Sequence, residues 1–143
     1  MSTTPRRKVV ATWLALVAGV FGLHRFYLHG AKDRWAWLFP LPTLLGLVGV
    51  QRMSALGQDD RLAWLLIPLL GASLVAALLG GIVYGLTPDE RWNARFNAGR
   101  AAPASGWATI IGVVLCLFVG GIVLMSTIAF SAQRYFESQA DIH

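Results

Sequence analysis

The residues of this chain best suited to chemistry fall in one short run, Gly19-Val20-Phe21-Gly22-Leu23-His24-Arg25-Phe26-Tyr27-Leu28-His29-Gly30. Here an imidazole, a guanidinium and two aromatic rings stand side by side, flanked by glycines. Imidazoles move protons or ligate metals, and a guanidinium binds anionic groups. His24 and His29 are five apart, however, off the i, i+4 face that a helical two-histidine metal site uses. Asp59-Asp60 has no further carboxylate or histidine at ligand spacing and reads as a solvated loop. Cys116 is the single cysteine, has no histidine in its own apolar segment and reads as a small packing residue. No metal, cofactor or catalytic constellation is expected, and the chain does not read as an enzyme.

Composition explains what surrounds this run. The 143 residues are 56% hydrophobic and 13% charged, and the apolar residues come in blocks rather than amphipathic stripes. That pattern makes a bilayer the expected solvent. The net charge of +5 sits in tails and loops, as orientation and lipid attraction require, and no basic face points to nucleic acid. The expected fold is an all-α integral membrane protein with four transmembrane helices near 8–24, 36–52, 62–86 and 107–131. The first two would form a short-turn helical hairpin, and a short interfacial helix is expected near 88–97. The chain then divides into a polar N-tail (1–7), a hairpin (8–55), a second helix pair with its interfacial loop helix (56–131) and a polar C-tail (132–143). An even number of crossings puts both termini on one side.

Local signals refine these elements. Val9 to Leu23 would rise only about 22 Å as a helix, short of a core of about 30 Å. The helix must therefore run on through His24 and Arg25 toward Leu28, or the bilayer must thin. Its Ala11, Ala15 and Gly19 form a small-residue stripe that lets another backbone approach. Pro40 and Pro42 make a straight helix from Trp35 to Val50 unfavourable, so the helix begins or kinks there. Ser73, Ala77, Gly81 and Gly85 form a small-residue ridge on the third span, and Ala108, Gly112, Cys116 and Gly120 form another on the fourth; the simplest partner of each is the other. Thr87-Pro88-Asp89-Glu90 reads as a capping box opening a short basic helix with Trp92 and Phe96 on one face. The loop relaxes through Gly99-Arg100-Ala101-Ala102-Pro103.

Gly-x-x-Gly-x-His-Arg-Phe-Tyr-Leu, from Gly19 to Leu28, resembles the signature of the TM2 domain family, small proteins with two membrane helices joined by a short turn. The resemblance covers roughly Lys8 to Gln51. It departs from the family where His29 precedes Gly30, which loosens the turn, and where Val50-Gln51-Arg52 replaces an acidic residue of the second helix. The resemblance implies architecture more firmly than activity. It marks Gly19, Gly22, His24, Arg25, Phe26, Tyr27, Leu28 and Gly30 as the turn motif.

An arginine in hydrocarbon costs about 2.5–3.5 kcal/mol at a helix centre, so Arg25 should lie at the interface, snorkel, or face protein. Its expected partners are helix carbonyls, lipid phosphate or Asp33, held by its planar fork. His24 is expected to cap the turn by donating to helix carbonyls. Two functions remain open: a non-enzymatic membrane protein that assembles with itself or a membrane partner, and a small oligomeric channel or transporter. The absence of Asp, Glu or Lys inside the four apolar spans disfavours the second. The bilayer itself is the expected partner, in a plasma or bacterial inner membrane crossed several times. Lys/Arg counts on the two sides tie, and the Arg6-Arg7-Lys8 cluster leans toward cytoplasmic termini.

Overall fold

The computed structural model describes residues 7–30, 32–97 and 106–142, so the tail before Arg7 and the Gly99–Pro103 loop lie outside the described residues. Every regular element among them is helical. The elements are α1 (Lys8–Ala18), a 3₁₀ turn (Gly19–Phe21), α2 (Leu23–His29), α3 (Arg34–Leu38), α4 (Pro40–Leu56), α5 (Arg61–Leu86), α6 (Asp89–Phe96) and α7 (Trp107–Ala140). Two of them, α5 and α7, are long and apolar enough to cross a membrane, where four such helices were expected. At 26 residues α5 is about 39 Å long, and every other element can be placed along it.

The first expected span does not run through. Lys8 Nζ donates to the Thr87 carbonyl at 2.7 Å, which fixes the start of α1 at the C-terminal end of α5. Further along, Thr12 lies beside Gly85, Ala15 beside Gly81 and Gly19 beside Ala77, so α1 descends antiparallel to α5 and stops part-way down it. Gly22 then takes a left-handed conformation (φ 76°, ψ 14°) that ends the 3₁₀ turn and redirects the chain. α2 climbs back along α1: Leu28 packs with Ala11 and Trp92, and the Tyr27 hydroxyl accepts from the Arg7 N–H at 2.7 Å. The expected helix 8–24 is thus a folded-back hairpin. The His-Arg-Phe-Tyr-Leu motif is one of its helices, not the turn.

The remaining helices run the length of α5. Phe39 interrupts α3 and α4 while keeping helical dihedrals, and Pro40 opens α4, so the prolines bend this element without reversing it. α4 packs antiparallel on α5, Gly46 against Leu70 and Gly49 against Leu66. α7 also runs antiparallel to α5, from Gly112 near Trp13 to Arg134 over the Trp64 ring and Asp141 beside Arg61. It stays helical to Ala140, through most of the stretch expected to be a polar tail.

The two small-residue ridges touch at Gly81 and Cys116, and α1 is wedged into the seam between the two helices. A Cβ on Gly81 would lie 2.8 Å from Cys116 Sγ and 3.0 Å from Ala15 Cβ, and one on Gly112 would lie 2.9 Å from Thr12 Cγ2. Cys116 and Ala77 are buried there, while Gly120 faces Leu78. Ala108 contributes its carbonyl instead, accepting from Trp13 Nε1 at 2.9 Å. Ser73 faces α4 rather than α1 and returns its hydroxyl to the Leu69 carbonyl. The capping box does not form. α6 has no side-chain cap; Thr87 Oγ1 donates back to Val83 and Asp89 pairs with Lys8.

Arg7 lies at the Thr87 end of α5 and Asp141 at its Arg61 end, so the described termini are at opposite ends of the bundle, not together. In a Cys116→Ala background, cysteines introduced at Glu90 and at Ser138 should react with an impermeant thiol reagent from opposite sides of a sealed vesicle. Labelling of both from one side would refute this arrangement.

Candidate functional site: the buried turn and its two clasps

The turn at Gly19–Gly22 buries its two glycines and leaves Phe21 exposed, and its inner backbone groups are paired. Gly22 N–H donates to the Gly19 carbonyl at 2.9 Å, and the Gly22 carbonyl accepts from Arg25 and Phe26 at 3.0 Å each. The Val20 carbonyl accepts from the Thr43 hydroxyl at 2.7 Å, a bond from α4 that ties the hairpin to the rest of the bundle. The two motif glycines do different work. Gly19 keeps helical dihedrals but has no room, since a Cβ would lie 2.6 Å from Ala77 Cβ. Gly22 needs its positive φ and also meets the Ala36 carbonyl, where a Cβ would lie 2.5 Å from the oxygen. That carbonyl would ordinarily bond the amide four residues on, which is Pro40 and has no N–H.

His24 follows this turn and is only 2% exposed. Its ring stands edge-on to Phe39, with centroids 5.3 Å apart, and tilted against Tyr84 at 6.0 Å. Nε2 faces Gly80 on α5. Nδ1 has no hydrogen-bond partner, so the expected capping role is not what His24 does. It is the innermost member of an aromatic cluster. Tyr84 packs on Trp92 and Phe96 of α6, and His29 packs on Phe96. Trp92 is 2% exposed, whereas Arg91 and Arg95 face outward. Phe26 lies on the other side of α2, edge-on to Trp37 at 5.1 Å.

Of the partners expected for Arg25, the structure selects Asp33. Arg25 Nε donates to Asp33 Oδ2 at 2.8 Å, and Asp33 Oδ1 accepts from the Trp35 N–H at 3.1 Å, capping α3. This is one bond from the guanidinium, not a fork spread over several acceptors, and no helix carbonyl takes part. Burial works to raise the Asp33 carboxyl; the Arg25 and Trp35 hydrogen bonds outweigh it and hold the group below its ordinary value.

A second clasp, missed in the sequence, repeats this one. Arg25, Gly30, Asp33, Arg34, Ala36, Trp37 and Leu38 recur 27 residues later as Arg52, Gly57, Asp60, Arg61, Ala63, Trp64 and Leu65. The geometry recurs with the letters. Gly30 (φ 80°, ψ −178°) and Gly57 (φ 95°, ψ 177°) close α2 and α4, each with its N–H on the carbonyl four residues back. Arg52 Nε reaches Asp60 Oδ2 at 2.8 Å, and Nη2 adds a bond to Oδ1 at 3.1 Å. Ala36 and Ala63 are both fully buried. The Arg52 hydrogen bond lowers the Asp60 carboxyl, so this aspartate is an ion-pair partner rather than a free loop charge. Comparing the sequence with itself would have found the pattern Arg-x4-Gly-x2-Asp-Arg-x-Ala-Trp-Leu.

Among the described residues no three His, Cys, Asp or Glu side chains converge as metal ligands. Cys116 Sγ has the Thr12 carbonyl at 3.9 Å as its polar neighbour. The arrangement holds the reversed chain against α5. No protein-family model, curated protein or solved structure matches the chain.

The depth of the turn can be tested by exchanging its closest contact. Gly19→Ala should destabilise the detergent-purified protein by about 1–3 kcal/mol through overpacking. Adding Ala77→Gly should restore most of that loss, although a helical glycine itself costs about 1 kcal/mol. Thermal melts of the two single variants and the double variant give the coupling, and simple additivity would place Gly19 elsewhere.

Proposed function

We propose that this chain is a non-enzymatic, multi-pass integral membrane protein of the TM2-domain type that acts by assembly, with itself or with a membrane partner. The observation that carries this reading is the inversion of its surface. Small residues line the seam between α1, α5 and α7, while Leu65, Val83, Leu117, Phe118 and Met125 point outward, each 60% exposed or more. Each such side chain left in water forgoes about 1.5–3 kcal/mol of burial. A core helix of a soluble protein would be mostly covered, whereas α5 and α7 leave most of their apolar length open. A bilayer supplies the missing cover. The shorter α4 presents Leu41, Leu44 and Leu47 to the same surroundings. Because the small-residue ridges are used within the chain, the outer faces of α4 and α7 are left for assembly.

The folded-back hairpin also breaks the tie in charge. The α1 start, the α2–α3 connection and α6 all lie toward the Thr87 end of α5, with Arg7, Lys8, Arg25, Lys32, Arg34, Arg91 and Arg95. The Arg61 end has Arg52, Arg61 and Arg134 among the described residues. On the positive-inside rule the Thr87 end is cytoplasmic, in a plasma or bacterial inner membrane, and the α6 arginines rest on the anionic leaflet.

Alkaline carbonate should leave the chain in the membrane pellet, and crosslinking in native membranes should capture it in a defined higher-mass species. Release into the supernatant would defeat the membrane reading. Solute or ion flux through liposomes containing the purified chain would defeat the assembly reading in favour of a channel or transporter.

A further inference from the structure

Between the bent α3–α4 element and α5 lies an open groove of about 260 Å³. One wall is Trp35, Leu38 and Pro42; the other is Leu69, Ala72 and Ala76. The groove exists because the bend at Phe39–Pro40 faces a stretch of α5 with short side chains. Its lining makes no polar demand, since the Ser73 hydroxyl is already committed to the Leu69 carbonyl at 3.0 Å. The two walls are antiparallel, so Trp35 and Ala76 mark one end and Pro42 and Leu69 the other, about 10 Å deeper.

The Trp35 end is charged. Lys32 and Arg34 are exposed immediately before it and enter no ion pair among the described residues. Asp33, the carboxylate between them, is held by Arg25 and by the Trp35 N–H. Two uncompensated cations therefore stand at the mouth of an apolar channel that leads toward the bundle's middle, beside an indole suited to the headgroup boundary. A headgroup phosphate matches the cations, above all the planar guanidinium, and a single hydrocarbon chain matches the channel.

We propose that this groove holds one acyl chain of an anionic glycerophospholipid whose phosphate lies against Lys32 and Arg34. The proposal rests on the membrane reading above, and the two fail separately: loss from carbonate-washed membranes defeats that reading, whereas an embedded chain with no lipid preference defeats only the groove. The full chain, purified in detergent, is titrated with dioleoyl phosphatidylglycerol or dioleoyl phosphatidylcholine, and bound lipid is counted by native mass spectrometry. The wild type should retain phosphatidylglycerol more tightly by about tenfold, and K32Q/R34Q should abolish that preference. Ala76→Phe, at an exposed position, should plug the channel and weaken retention of both lipids without altering the melt of the lipid-free protein. Equal retention of the two lipids by the wild type would overturn the proposal, as would a preference that survives K32Q/R34Q. So would an Ala76→Phe variant that disrupts a dimer yet binds lipid normally, because the groove would then hold a second copy.

Discussion

Buried backbone must keep its hydrogen bonds, and in this molecule that requirement centres on the four residues from Gly19 to Gly22. A chain can reverse inside a helical bundle only where protein supplies the hydrogen bonds that water would otherwise make. Here Thr43 of α4 supplies the donor for Val20, and Gly22 supplies both the left-handed turn and the clearance beneath Ala36. Pro40 shapes the same spot by withholding the amide that Ala36 would otherwise bond. The motif is therefore where three elements meet.

From this constraint the rest of the packing follows. A hairpin that dips beside α5 needs a narrow seam, and the small residues of α1, α5 and α7 provide it, with Gly81 enclosed by Ala15 and Cys116. The hairpin's return then leaves aromatic bulk to be covered at the Thr87 end, which α6 does with Trp92 and Phe96 while turning its arginines outward. At the α2–α3 and α4–α5 connections an arginine of one helix clasps an aspartate just before the next, and a positive-φ glycine lies between them. Each clasp neutralises charge where the chain turns into apolar surroundings.

Much of this was legible in the sequence. The small-residue spacing named the packing ridges, the prolines located the bend at Phe39, and Trp92 with Phe96 marked the covered face of α6. The reversal was not legible, because hydropathy measures how apolar a segment is and not where it points. Val9 to Leu23 was too short to cross, and extending it through His24 satisfied the length as well as turning it back did. A single positive φ at Gly22 decides between the two. His24 was misread for a related reason: a polar ring next to a turn suggests a cap, whereas its neighbours across space are Phe39, Tyr84 and Gly80. Asp33 was among the partners expected for Arg25, whereas its counterpart pair Arg52–Asp60 joins a helix to a loop, where no helical or strand period applies.

The central claim is that the first helix pair turns back within the bundle. Spin labels at residues 7 and 29, with the distance between them read by pulsed electron resonance in lipid nanodiscs, test it most directly. A continuous helix over those 22 residues would hold the labelled backbones about 33 Å apart. The folded-back hairpin, with Arg7 bonded to Tyr27, predicts a distance well below that. A distribution centred near the long value would contradict the hairpin, and with it the sidedness derived from it.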